Sequence, residues 1–229
     1  MNNPTPELKL AAATIVAEIR RLMVNRNTSI LVALDGGSGS GKSSVALLIA
    51  EKLDAALIQG DDFFAAEISD AEWADRTPEA RATDGINWRR LRAEALEPLL
   101  AGRPAKWHAF DFEAGVRPNG TYAMCTDFVE REPTAVIILD GAYSTRPELA
   151  DLIDFSVLID VPVEVRHERL AAREAKNFLN SWHARWDAAE AYYFTHVRPK
   201  SSFDLVVTTG QSPVASKDQI LDPDRLRFE

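Results

Sequence analysis

Residues 29–48 read SILVALDGGSGSGKSSVALL, and three patterns follow one another within them. Ser29 to Leu34 is a short apolar run, suited to a strand covered on both faces. Gly36, Gly37, Ser38, Gly39, Ser40, Gly41, Lys42 and Ser43 then meet the pattern G-x-x-x-x-G-K-[ST]. Beyond them Val45, Leu47, Leu48, Ile49 and Leu53 recur at helical spacing. A strand, a glycine-rich turn and a helix in that order form a phosphate cradle. Glycines admit positive φ and bring N–H groups against phosphate oxygens with no Cβ in the way. The helix start adds its partial positive charge. Lys42 is expected to meet the β- and γ-phosphates, and the Ser43 hydroxyl to ligate Mg²⁺, with Ser44 completing the cradle. A flexible Gly/Ser linker would have no reason to lie between an apolar strand and an amphipathic helix, so the phosphate reading is preferred.

Outward from this segment the chain keeps alternating. Upstream, Leu8, Leu10, Ala11, Ile15, Ile19, Leu22 and Met23 predict a helix over 7–26. Downstream, strands are predicted at Ala55 to Gln59, Ala135 to Leu139, Phe155 to Ile159 and Leu205 to Thr208. Lys106 to Phe112 and Thr121 to Phe128 read as a hairpin around Gly115, Pro118 and Gly120. Helices are predicted at Trp88 to Leu100, Val163 to Lys176 and Ser181 to Tyr193, and the acidic stretch 67–84 reads as irregular or partly helical. Strands alternating with helices imply βαβ units. The expectation is a single domain over 1–229 with a three-layer α/β P-loop NTPase fold. It would have a mostly parallel sheet with helices on both faces, a lid helix around 164–182 and a polar tail over 211–229.

Acidic residues stand where candidate strands end, the edge at which open α/β sheets bind ligands. Asp61 and Asp62 follow the second strand, where a carboxylate can take the proton of an attacking hydroxyl. Asp140 follows the run AVIIL and is placed to serve Mg²⁺ with Ser43. Asp160 reads as a turn residue. Arg166, Arg169 and Arg173 lie at i, i+3 and i+7 and share one helical face, which could reach over a triphosphate. Beside a phosphate cradle that reading outweighs a solvated face paired with Glu164, Glu168 and Glu174. The aromatic group Trp182, Trp186, Tyr192, Tyr193 and Phe194 reads as packing of a C-terminal helix, and His108 and His196 as structural.

Composition narrows the classes. With 46% hydrophobic and 27% charged residues the 229-residue chain is an ordinary globular sequence. A net charge of −9 argues against a nucleic-acid partner. No apolar run approaches the ~20 residues of a membrane span, and the polar, proline-punctuated Met1 to Glu7 is not a signal peptide. One cysteine, Cys125, rules out an intramolecular disulfide framework and suits a cytoplasmic setting. A homo-oligomer is left open.

These motifs resemble the uridine kinase-like P-loop kinases, a group that includes nicotinamide riboside kinases. The likeness runs from about Ile30 to Val207. Besides the cradle, Gly60-Asp61-Asp62-Phe63-Phe64 is similar to the family's Q-D-[DS]-F-[FY] segment, and Phe110-Asp111-Phe112 to its Y-D-F. Ile138-Leu139-Asp140-Gly141 resembles its acidic-Gly element, and Arg166, Arg169 and Arg173 its lid arginines. The resemblance implies ATP as co-substrate, Mg²⁺ and a small-molecule hydroxyl acceptor. It makes Asp61 the base, aided by Lys42, Arg169 and Arg173. It places Asp62, Phe63, Asn87, Phe110, Asp111, Arg117, Tyr143 and Arg166 on the acceptor side.

Three departures bear on the acceptor. Asn87 stands where the family often has a ribose-binding aspartate, Phe110 replaces its tyrosine, and Gly115 falls at a pyrimidine-reading histidine. A pocket more apolar and roomier than a uridine kinase's is therefore expected, with an acceptor other than uridine or cytidine. A sugar, a vitamin precursor or an antibiotic is the first rival acceptor. A P-loop nucleotide switch is the rival from another class, although no N-K-x-D guanine motif is present.

Overall fold

A computed structural model describes residues 4–173 and 179–210; the side chains of Arg173 and Trp182 and the 211–229 tail lie outside the described residues. Five parallel strands form the central sheet: β1 (Ile30–Asp35), β2 (Ala56–Gln59), β5 (Val136–Asp140), β6 (Phe155–Asp160) and β7 (Leu205–Thr208). Their order is β2-β5-β1-β6-β7, so β1 is central and its neighbours on both sides arrive by crossovers. β3 (Ala105–Phe110) and β4 (Met124–Arg131) make a separate antiparallel hairpin.

Strand alternation divides β1 between two cores. Ile30, Val32 and Leu34 pack with the buried stripe Ala11, Ala12, Ile15 and Ile19 of α1 (Pro6–Leu22) and with Val45 and Ile49 of α2 (Lys42–Leu53). Leu31 and Ala33 face the opposite cluster, with Leu91 and Leu99 from the helical stretch 88–100, Trp107 of the hairpin, and Trp186 and Ala189 of α8 (Leu179–Tyr192). Helices on both faces of a parallel sheet make this a three-layer α/β P-loop fold. Among the described residues no helix is long and apolar enough to cross a membrane.

Local chemistry accounts for the boundaries. α1 starts at the Thr5 cap and stops at Leu22 rather than residue 26, because Asn25 turns through a left-handed φ of 63°. Arg26 then ties the turn down through the carbonyls of Thr28 and Ser29 and through Asp154. The acidic stretch is more ordered than its polarity suggests. Ser69 and Glu72 form a capping box on α3 (Asp70–Asp75), and Thr77 with Pro78 starts α4 (Pro78–Asp84). Between α5 (Trp88–Arg90) and α6 (Glu97–Leu100), Leu91–Leu96 is π-wound, next to Pro98, which has no N–H to continue the ladder. The second hairpin strand begins three residues later than expected. Tyr122 is held elsewhere, its N–H on the Ala66 carbonyl and its hydroxyl on Asp70.

Candidate active site

Because β1, β2 and β5 are parallel neighbours, the loops after them leave the sheet at one edge. The Gly36–Ser44 loop follows β1 and feeds α2, Asp61 and Asp62 follow β2, and Asp140 ends β5. The edge is tight: a Cβ on Gly141 would lie 3.2 Å from the Gly60 Cα, so only paired glycines let the two acidic tips come this close. Lys42 is buried, and its charge acts on Asp140. Burial pushes the Asp140 carboxyl up to about 6, opposed by Lys42 and by a hydrogen bond with Ser43.

These groups fit a phosphate–metal site. Asp140 Oδ1 and Ser40 Oγ are buried polar atoms with no partner among the described residues, and a buried group of this kind costs free energy until something meets it. Ser43 and Asp140 supply two hard oxygens. Mg²⁺ takes one or two protein oxygens and completes its shell with water and substrate phosphates. No group of three or more metal-binding side chains occurs among the described residues, and Mg²⁺ held with a nucleotide does not need one.

The two adjacent aspartates have different surroundings. Asp62 Oδ2 accepts from Trp107 Nε1 at 2.8 Å, and burial raises its carboxyl. One of its carboxylate oxygens is thereby engaged with the hairpin. Asp61 is exposed, and among the described residues its carboxylate has no hydrogen bond or ion pair.

On α7 (Val163–Arg173), Arg166 and Arg169 hold the loop by its carbonyls. Arg166 donates to the Ser38 carbonyl at 2.9 Å and Arg169 to that of Ser40 at 3.0 Å. Arg166 also pairs with Glu190 Oε2 at 3.0 Å, while Glu190 Oε1 accepts from the Ser38 amide and hydroxyl at 2.8 and 2.6 Å. Arg166 is thus a brace of the loop and not part of the cavity described below.

That cavity, of about 110 Å³, opens between the loop, α4 and α8. Its walls are Phe64, Ile86, Phe112, Tyr143 and Trp186, with Asp61, Glu190 and Ser38 on the polar side. Its described walls are mostly apolar. Gly115 does not enlarge it, since that residue lies in the exposed hairpin loop, where even an added Cβ would meet nothing within 4 Å.

Several residues expected on the acceptor side are engaged elsewhere. Phe63 is fully buried against Trp107, and Phe110 packs on Phe64 and Tyr122. Asn87 caps its helix through Arg90 N and donates to Glu67, so both ends of its amide are occupied. Asp111 accepts from the amides of Glu113 and Ala114, closing a turn. Arg117 lines a different, open cavity beside Glu67, Arg90 and Glu94. Of the acceptor-side set, Tyr143 alone lines the cavity beside Asp61. Asp160 accepts from Lys200, His108 Nδ1 lies 2.9 Å from the Cys125 carbonyl oxygen and His196 stacks on Tyr192.

Two site residues escaped the sequence reading. Asp35, fully buried, accepts from the amides of Gly36, Tyr143 and Thr145 and from the hydroxyls of Thr145 and Tyr193. It ends an apolar run, the signal that marked Asp140. Glu190 gave no signal, because its partner Ser38 is 152 residues away.

A parallel sheet with a glycine-rich loop after its central strand, and carboxylates at the same edge, define the P-loop fold. The motif resemblance to uridine kinase-like P-loop kinases is borne out over most of the chain. The chain is 29% identical to the uridine kinase of Streptococcus uberis, across 85% of its own length and 93% of that one. Identity to the uridine kinase of Halobacterium salinarum is also 29%, across 82% and 83%. Among solved structures, a possible uridine kinase from Bacillus stearothermophilus superposes with a TM-score of 0.64 at 18% identity, covering 87% of this chain and 98% of that one. D-glycerate 3-kinase from Cryptococcus neoformans gives 0.56 at 14%, covering 82% and 87%. No protein-family model matches the chain.

Proposed function

We propose that this protein is an ATP-dependent kinase that transfers the γ-phosphoryl group to a hydroxyl of a small molecule other than uridine or cytidine. The observation that carries the reading is the convergence at one sheet edge of the loop, the unpaired Asp61 carboxylate and the buried Asp140 oxygen that lacks a partner. The amides of Gly36 to Ser44 and Lys42 would hold the phosphates. Ser43 and Asp140 would hold Mg²⁺, which supplies charge neutralisation for the transferring group. Asp61 accepts the acceptor's hydroxyl proton, Arg166 and Arg169 keep the loop in shape, and Arg173 follows on the same helix.

The chain's relatives are named uridine kinases, but the nucleoside-reading positions support a changed acceptor. Asn87, Phe110 and Arg117 do not line the cavity beside Asp61, and its walls are apolar. A nucleoside would leave polar edges desolvated and unpaired there. ADP formation and transfer of the labelled γ-phosphate to nucleosides, sugars, vitamins and simple alcohols test the proposal. Transfer to an alcohol is expected, with kcat/KM for uridine and cytidine below about 10⁴ M⁻¹s⁻¹, the lower end of ordinary efficiency. ATP hydrolysis unaffected by every acceptor would favour a switch instead.

A further inference from the structure

The cavity beside Asp61 carries information about what it takes. Among the described residues its lining contains no lysine or arginine, which favours an acceptor without a carboxylate or phosphate of its own. Of its two carboxylates, Glu190 is already met by Arg166 and by both Ser38 donors. Phe64, Ile86, Phe112 and Trp186 supply apolar and aromatic faces. The walls enclose about 110 Å³ on one side of an open cleft, the same scale as the ~150 Å³ engineered cavity that binds benzene, so they can seat one ring or an equally compact body.

Tyr143 is 5% exposed, and among the described residues its hydroxyl makes no hydrogen bond. Buried hydroxyls are normally paired, and leaving one unpaired costs about 1–3 kcal/mol. The backbone holds it in place. Tyr143 has a left-handed φ of 65°, which a bulky residue adopts only under constraint, and its amide is fixed by the buried Asp35 carboxylate at 3.0 Å. The ring stands edge-on to Tyr193, whose own hydroxyl also binds Asp35. Burial and the surrounding carboxylates of Glu190, Asp35 and Asp61 keep the phenol protonated, hence able to donate.

We infer that the acceptor is a compact, non-anionic alcohol with a single-ring or similarly sized apolar body, seated among Phe64, Ile86, Phe112 and Trp186 and recognised by the Tyr143 hydroxyl. This rests on the kinase reading. The acceptor oxygen attacks the γ-phosphorus of ATP and the bond from that phosphorus to the β,γ-bridging oxygen breaks. ADP leaves with the bond's electron pair, and the hydroxyl proton passes to Asp61.

Calorimetric titrations with the full chain, Mg²⁺ and a non-hydrolysable ATP analogue test it. The probes are benzyl alcohol, 3-(hydroxymethyl)pyridine, uridine and glycerate. The two ring alcohols are expected to bind at least tenfold more tightly than uridine or glycerate. Equal or tighter binding of either of those overturns the inference. In Tyr143→Phe the ring alcohols should bind about threefold to tenfold more weakly, with nucleotide affinity unchanged and Tm equal or higher, because a hydroxyl without a partner contributes no stability. A lower Tm with unaltered ring-alcohol affinity shows a structural tyrosine and overturns the assignment. If the nucleotide analogue itself fails to bind, the kinase reading falls and takes this inference with it. If it binds and the ring alcohols do not, this inference alone falls.

Discussion

Asp61 and Asp62 are neighbours in sequence with the same chemistry, and their surroundings separate them. Asp61 is exposed without a partner, whereas Asp62 accepts from the Trp107 indole. Asp61→Asn should leave nucleotide binding intact and lower kcat by about 10²–10⁴, the usual worth of a general base. Asp62→Ala should do the reverse: kcat within a few-fold of the parent, but stability lower by about 1–3 kcal/mol as the Trp107 N–H loses its acceptor. Steady-state kinetics and urea denaturation of the two variants read both quantities, and a larger kcat loss in Asp62→Ala than in Asp61→Asn would exchange their roles. Lys42→Ala should abolish turnover and weaken ATP binding, as measured by calorimetry. Near-normal turnover in that variant would sink the phosphate-cradle assignment.

At the scale of elements, the loop is held between the sheet and α7. Gly39 has φ +79°, and a Cβ there would lie 2.6 Å from the Arg166 carbonyl oxygen, a backbone atom that cannot swing aside. Gly39→Ala should therefore displace the loop from α7 and break the contacts of Arg166 and Arg169 with its carbonyls. The expected result is at least tenfold weaker ATP binding together with a stability loss on the order of 1–3 kcal/mol from the strained backbone. Unchanged nucleotide affinity would show that α7 does not set the loop's shape. The same elements show where pattern reading stops. The i, i+3, i+7 spacing put the arginines on one face, but spacing along a helix says nothing about whether that face meets phosphates or loop carbonyls.

For the whole molecule, the site is an edge where buried acids gather in a chain of net charge −9. Asp140 is raised from 3.8 to about 6, mainly by burial, and burial raises Asp35 as well. A carboxyl whose folded pKa lies above its unfolded one favours the folded state when protonated. That contribution is full below about 3.8 and is lost as pH rises through about 6. The metal-free protein should thus lose on the order of 3 kcal/mol from Asp140 between pH 4 and pH 7. Asp70 and Glu148, lowered by Arg185 and Arg146, act in the opposite sense, so the test is the difference between wild type and Asp140→Asn. Urea denaturation in EDTA should show the variant gaining on the wild type as pH rises from 4 to 7. A pH-independent difference would mean that Asp140 is not desolvated.

The amino-acid sequence by itself determined the sheet, its flanking helices and the phosphate cradle, since each is written in contiguous residues. Apolar alternation builds β1, glycines permit the turn, and Lys42 with Ser43 opens α2. It also marked Asp61 and Asp140, because strand ends are local features. The cavity beside Asp61 was decided only by tertiary structure. Its walls come from residues 38 to 190, and Glu190 meets Ser38 only because α8 returns across the sheet edge. Asn87, Asp111 and Arg117 look available in sequence, but local caps, turns and a second cavity claim them. A polar side chain serves a ligand only if the fold has left it without a nearer partner, and that depends on every neighbour within hydrogen-bonding distance. Motifs record which groups are present; packing selects those left open, the Tyr143 hydroxyl among them.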